Sequence, residues 1–120
     1  MGITPPNPID PAVLTPEWAR TIVAAHTATE IPVSHAARIK SDRYFVWQEE
    51  DENDLASDNL HAERAMSGYT DLFTKVEFDA ASVQLETAFD QYGISWSRTG
   101  VTYEPDTGFF HWSWDWEVPW

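Results

Sequence analysis

The final strand constrains this chain more than any other segment. From Phe109 to Trp120 the side chains alternate almost without interruption. Phe110, Trp112, Trp114, Trp116, Val118 and Trp120 point one way, and His111, Ser113, Asp115 and Glu117 point the other. Successive Cβ atoms of a strand lie on opposite sides of the pleat, so this period of two marks a strand with one face destined for burial. Just before it, Pro105-Asp106-Thr107-Gly108 gathers turn-forming residues, and the stretch from Ser95 to Glu104 leads into that turn. The chain therefore ends in a hairpin whose return strand carries four indoles on one side, and such a face needs a second layer to cover it.

A helix over residues 79–92 supplies part of that layer. Asp79 is placed to cap it, Phe78 and Val83 sit where a hydrophobic staple would close, and Gly93 provides the stop. Ala81, Leu85, Ala88, Phe89 and Tyr92 recur at helical spacing on one face. An earlier helix begins at Leu14-Thr15-Pro16-Glu17, with Thr15 as cap and Pro16 in the first turn. It runs to about Ala28 with Trp18, Ile22 and Ala25 as its apolar stripe. Between the helices, Ile31-Pro32-Val33-Ser34 opens an extended segment, because Pro32 disfavours helical geometry at Ile31. Arg43 to Gln48 is rich in aromatic and β-branched residues and reads as a second strand. The stretch from His61 to Thr74 reads as a third, with a bulge or bend at Gly68. The predicted class is α+β, in the order α-β-β-β-α-β-β: a mostly antiparallel sheet of four to five strands with two helices on one face.

Residues 49–59 hold six acids (Glu49, Glu50, Asp51, Glu52, Asp54, Asp58) and no base, and read as a solvated loop. The run lacks the glycine turn and terminal glutamate of an EF-hand, so calcium binding is not expected. At the other end, Pro5, Pro6, Pro8 and Pro11 force an extended arm over residues 1–14, one that packs on a neighbour or stays loose. Residues 15–120 form the single domain that a chain of 120 residues accommodates.

Composition narrows the chemistry. A formal charge of −13 disfavours binding to phosphate backbones or anionic lipid. With no cysteine, disulfides, thiolate catalysis and cysteine-bound metals are excluded. The start of the chain has no signal-peptide pattern and no stretch is apolar enough to span a membrane, so assembly in a cytoplasm is expected. His26, His35, His61 and His111 lie far apart without metal-ligand spacing, no Gly-x-Ser-x-Gly elbow occurs, and the five glycines are isolated, so no metal, cofactor or catalytic site is expected. The indole ladder has two readings: core beneath the helices, or in part a contact surface, with Trp112, Trp114, Trp116 and Trp120 as interface candidates. A sugar-stacking strip is a weaker alternative, because Leu85 and Phe89 offer the ladder apolar partners.

Several of these segments, in order, resemble the tail terminator or tail-completion proteins of long-tailed bacteriophages. They are Ile31-Pro32, the strand ending Tyr69-Thr70-Asp71-Leu72-Phe73-Thr74-Lys75, the helix from Asp79 to Gly93, and the hairpin Tyr103-Glu104-Pro105-Asp106-Thr107-Gly108-Phe109-Phe110-His111. The tryptophan content and the proline-rich start depart from that pattern. The resemblance implies a structural virion protein of the neck: a homo-hexameric ring that caps the tail tube protein, ends polymerisation and presents a surface to a head-tail connector or stopper protein. Genomic DNA would pass through the lumen without specific binding. Glu49, Glu50, Asp51, Glu52 and Asp54 are the acids this picture would place toward the lumen, where like charge repels phosphate within a Debye length. A connector or stopper is the alternative within the same class.

Overall fold

The computed structural model describes residues 15–54 and 64–119, with residues 51–54 described by their backbone alone. The proline-rich arm at 1–14, Asp58, His61 and Trp120 lie outside the described residues. The elements run α1 (Glu17–Thr27), β1 (Val33–His35), β2 (Arg43–Asp54), β3 (Arg64–Thr74), α2 (Ala81–Gln91), β4 (Ser95–Glu104) and β5 (Phe109–Pro119). The strands form one sheet in the order β1-β2-β3-β5-β4. Every pairing is antiparallel except β1 with β2, which is parallel. A parallel neighbour ordinarily requires a long crossover, but β1 is so short that the loop over residues 36–42 suffices to bring the chain back.

Both helices pack on one face of the sheet. Trp18, Ile22 and Ala25 of α1 and Ala81, Leu85, Ala88 and Phe89 of α2 meet Phe45, Trp47, Leu72, Trp112, Trp114, Trp116 and Val118. On the opposite face the 36–42 loop folds back over a smaller cluster of Tyr44, Val46, Phe73 and Phe109. There the Arg38 guanidinium lies 3.9 Å from the centre of the Phe73 ring and its Nε donates to the Tyr44 hydroxyl at 3.0 Å.

Local details differ from the sequence expectation in instructive ways. The acidic run is not a loop from Glu49 onward: β2 continues to Asp54, and Asp51 to Asp54 pair with Ser67 to Arg64. Acids have low strand propensity, but β3 is long and its ladder of backbone donors and acceptors carries the partner strand past the favourable residues. The bulge predicted near Gly68 lies across from it, on β2, where the register shifts between Glu49 and Asp51. Pro16, rather than Thr15, stands at the N-cap of α1. The staple beside α2 does not close, since Phe78 and Val83 are both exposed, and Tyr92 is half-exposed rather than buried.

The ends of α2 are well determined. At the C-terminus Ile94 N–H reaches the Phe89 carbonyl and Gly93 N–H the Asp90 carbonyl, a Schellman closure that needs the left-handed φ of 71° that Gly93 provides. At the N-terminus the buried Asp79 carboxylate accepts Ala81 N–H at 2.9 Å, the Thr74 hydroxyl at 2.6 Å and two bonds from Arg43 at 2.6 and 2.8 Å. Burial pushes that carboxyl up, but the bonds from Arg43, Thr74 and Ala81, with the Arg43 charge, outweigh it and hold Asp79 below the usual carboxylate range. One side chain thus ties β2, β3 and α2 together. Asp79→Ala is expected to cost about 2 kcal/mol in urea unfolding, with Asp79→Asn costing less. The loss combines the cap and an orphaned buried donor, while the half-exposed Arg43 rehydrates.

Candidate assembly surface

The indole ladder is core. Trp114 and Trp116 are fully buried and Trp112 nearly so, each bringing roughly 150–250 Å² of surface out of water. These three interface candidates are therefore part of the domain's own core, with Trp112 at its margin on the β4 side, and they form no flat exposed strip on which a sugar could stack. The indole nitrogens explain how so much tryptophan is accommodated. Trp114 Nε1–H donates to Glu86 Oε2 at 2.8 Å, and Glu86 is itself gripped by Arg98 of β4 through two bonds of 2.7 Å. Trp116 Nε1–H donates to the Thr70 hydroxyl at 2.9 Å.

Thr70 passes this bond onward. His26 Nδ1 lies 2.7 Å from the Ile22 carbonyl, which can only accept, so the proton sits on Nδ1 and Nε2 accepts from Thr70 at 2.9 Å. The chain Trp116 to Thr70 to His26 to Ile22 is complete only while the imidazole is neutral. Burial lowers the His26 pKa from 6.5 to about 4, the Ile22 bond opposing this in part.

Away from the Tyr44 cluster, the face opposite the helices is polar and mostly acidic. Glu50, Asp115 and Glu117 border a shallow depression of about 390 Å³ with Ser67, Ser95 and Ser97. Of the acids singled out in the sequence, Glu50 is exposed there. Glu49 is half-buried and accepts from His35 at 2.7 Å; burial pushes its carboxyl up, but the His35 bond, a bond from its own backbone N–H and the His35 charge together hold it below the usual range. Asp51, Glu52 and Asp54 continue the same strand.

Further along this face lies a cluster that sequence spacing did not reveal. The Ser113 hydroxyl donates to Asp71 at 2.8 Å, His111 Nε2 lies 3.2 Å from the same carboxylate, and His111 Nδ1 lies 3.6 Å from Glu104. The residues resemble a hydrolytic triad in kind but not in arrangement. The Ser113 proton is committed to Asp71, while His111 Nε2 stands 3.4 Å away and competes for the same carboxylate. His111 stacks on Phe73 at 4.4 Å, so the cluster extends the aromatic packing of that face. Among the described residues no group of three or more histidine and acid side chains is placed to hold a metal ion, and no helix is long and apolar enough to cross a membrane.

Exposed apolar surface gathers elsewhere, on the helix-bearing side of the edge strand β4. Val101 and Tyr103 are 46% and 54% exposed. With Phe78, Phe110 and Trp112 they line a groove of about 310 Å³ whose rim includes Glu77 and Thr102. Phe78 is 85% exposed and its φ of 54° lies in the left-handed region, which a bulky side chain occupies only at a cost of about 1–2 kcal/mol. Neither the exposure nor the strain is offset by packing within the domain. Beneath the groove, Trp112 Nε1 is the one buried side-chain nitrogen or oxygen among the described residues without a hydrogen-bond partner. Nothing in the local sequence announced this surface, because Phe78 and Val101 become neighbours only when α2 and β4 dock. Compared with known families and curated proteins, the chain matches no family model and no curated protein.

Proposed function

We propose that this protein is a structural assembly subunit that forms a ring completing a bacteriophage tail, joining the tail tube to the head and letting DNA pass. The observation that carries the reading is the aromatic groove on the β4 edge, with Phe78 held out of the domain at a conformational cost. Monomeric proteins seldom leave such a patch beside an open strand edge without a partner to cover it. Two further features support it. Three of the four segments that resemble the tail-completion family fall on successive parts of the scaffold, the end of β3, α2 and the β4–β5 turn, and the fourth, Ile31-Pro32, leads into β1. The face remote from the helices carries Glu50, Asp71, Asp115 and Glu117, a charge suited to a surface that DNA slides past.

Light scattering on the purified chain, alone and mixed with tail tube protein, tests the reading. A closed oligomer near six times the 13.7 kDa subunit mass that binds tube ends is the expected result. A strict monomer that ignores the tube would overturn it.

A further inference from the structure

We infer that the groove on β4 receives the proline-rich arm of a neighbouring copy, an inference that rests on the ring reading above. The groove itself specifies the chemistry of its occupant. Its walls are the side chains of Phe78, Val101, Tyr103 and Phe110, which favour flat apolar groups. Its floor includes the Trp112 ring. A fitting ligand is therefore narrow and apolar, and brings few backbone donors that the apolar walls would leave unpaired. A polyproline II segment meets these terms: its backbone has no internal hydrogen bonds, its prolines carry no N–H, and its rings stack on aromatic walls.

This chain holds such a segment in Thr4-Pro5-Pro6-Asn7-Pro8-Ile9-Asp10-Pro11. The placement of its attachment point favours exchange between copies. The arm joins the domain at Thr15 and Pro16, beside Trp18, His35 and Trp47 at the β1–β2 side. The groove lies on β4, at the opposite edge of the sheet. A subunit that donates at one edge and receives at the other makes a head-to-tail contact, the kind that closes into a ring by rotation.

The absence of cysteine allows a direct test in the full-length chain. Pro6→Cys and Tyr103→Cys are introduced together and oxidised, with Pro6→Cys and Val83→Cys as a control pair at a comparably exposed position outside the groove. Disulfide-linked multimers that appear only with Tyr103→Cys are expected. A monomer closed within one chain, or crosslinking no stronger than the control, would overturn the inference. In parallel, Tyr103→Ser is expected to raise the concentration needed for assembly at least about tenfold, with the circular dichroism spectrum unchanged. Replacing Pro5, Pro6 and Pro8 with glycine in the same chain is expected to add little, because the two sites act as one contact. Light scattering on these samples separates the two readings: a ring that forms regardless of both sets of changes removes the arm contact alone, whereas a wild-type monomer removes both.

Discussion

Gly68→Ala is expected to destabilise the domain by about 3 kcal/mol or more, a large part of the roughly 5–15 kcal/mol that holds a small domain together. Gly68 lies in β3 opposite Glu49 of β2 and Trp116 of β5. A methyl group there would meet the Gln48 carbonyl oxygen and the edge of the Trp116 ring far inside contact distance. Neither neighbour gives easily: the carbonyl belongs to the β2 backbone just before its bulge, and the indole is anchored through its hydrogen bond to Thr70. Gly100 is the control. It also sits at a register shift in a strand, but a methyl group added there meets nothing within 4 Å. Urea titration should show the Gly68 variant unfolding at much lower denaturant while Gly100→Ala stays within about 0.5 kcal/mol of the parent. Equal losses at the two positions would mean that the close approach of Trp116 to β3 does not hold.

The second large effect is a dependence on pH. His26 has its pKa lowered to about 4 in the folded protein, against 6.5 when exposed. Between those values the unfolded chain binds a proton that the folded chain refuses, so stability rises with pH across the window. The contribution of the neutral imidazole is fully present above pH 6.5 and is lost progressively as pH falls toward 4, by roughly 3 kcal/mol in total. Unfolding free energy measured at intervals from pH 7 to 4 should fall more steeply in the parent than in His26→Gln. That variant starts from lower stability at neutral pH but has no proton to take up. Parallel curves for the two proteins would show that His26 is not the group responsible.

The sequence disclosed the elements well where one residue pattern decided the outcome. The alternation of β5, the stripe of Trp18, Ile22 and Ala25, and the Gly93 stop each follow from local geometry, and each stands in the structure. It disclosed less where a partner decided. The strand character of Glu49 to Asp54 comes from the β3 ladder, and the parallel sense of β1 from a loop anchored by Arg38 on the far side of the sheet. The tryptophans were the most ambiguous signal. Their spacing left core and contact surface open, and the core reading holds for Trp112, Trp114 and Trp116 because Glu86 and Thr70 supply polar partners for two of the indoles inside it. Apolar surface is exposed at Phe78, Val101 and Tyr103 instead, three residues dispersed along the chain that no spacing rule connects.

The position of β5 has a consequence for biogenesis. It is the last of the elements in order and lies between β3 and β4. A nascent chain that has emerged only as far as β4 can pair β1, β2 and β3, but β4 has no native neighbour, one edge of β3 stays open, and the helices lack Trp112, Trp114 and Trp116 to rest on. Vectorial synthesis therefore cannot complete this domain before residues 109–119 arrive, when β5 joins β4 to β3 and closes the core. Until that moment the growing polypeptide is a client for holding chaperones, with an open edge of β3 and an unpaired β4 on the two sides of the gap where the tryptophans will enter.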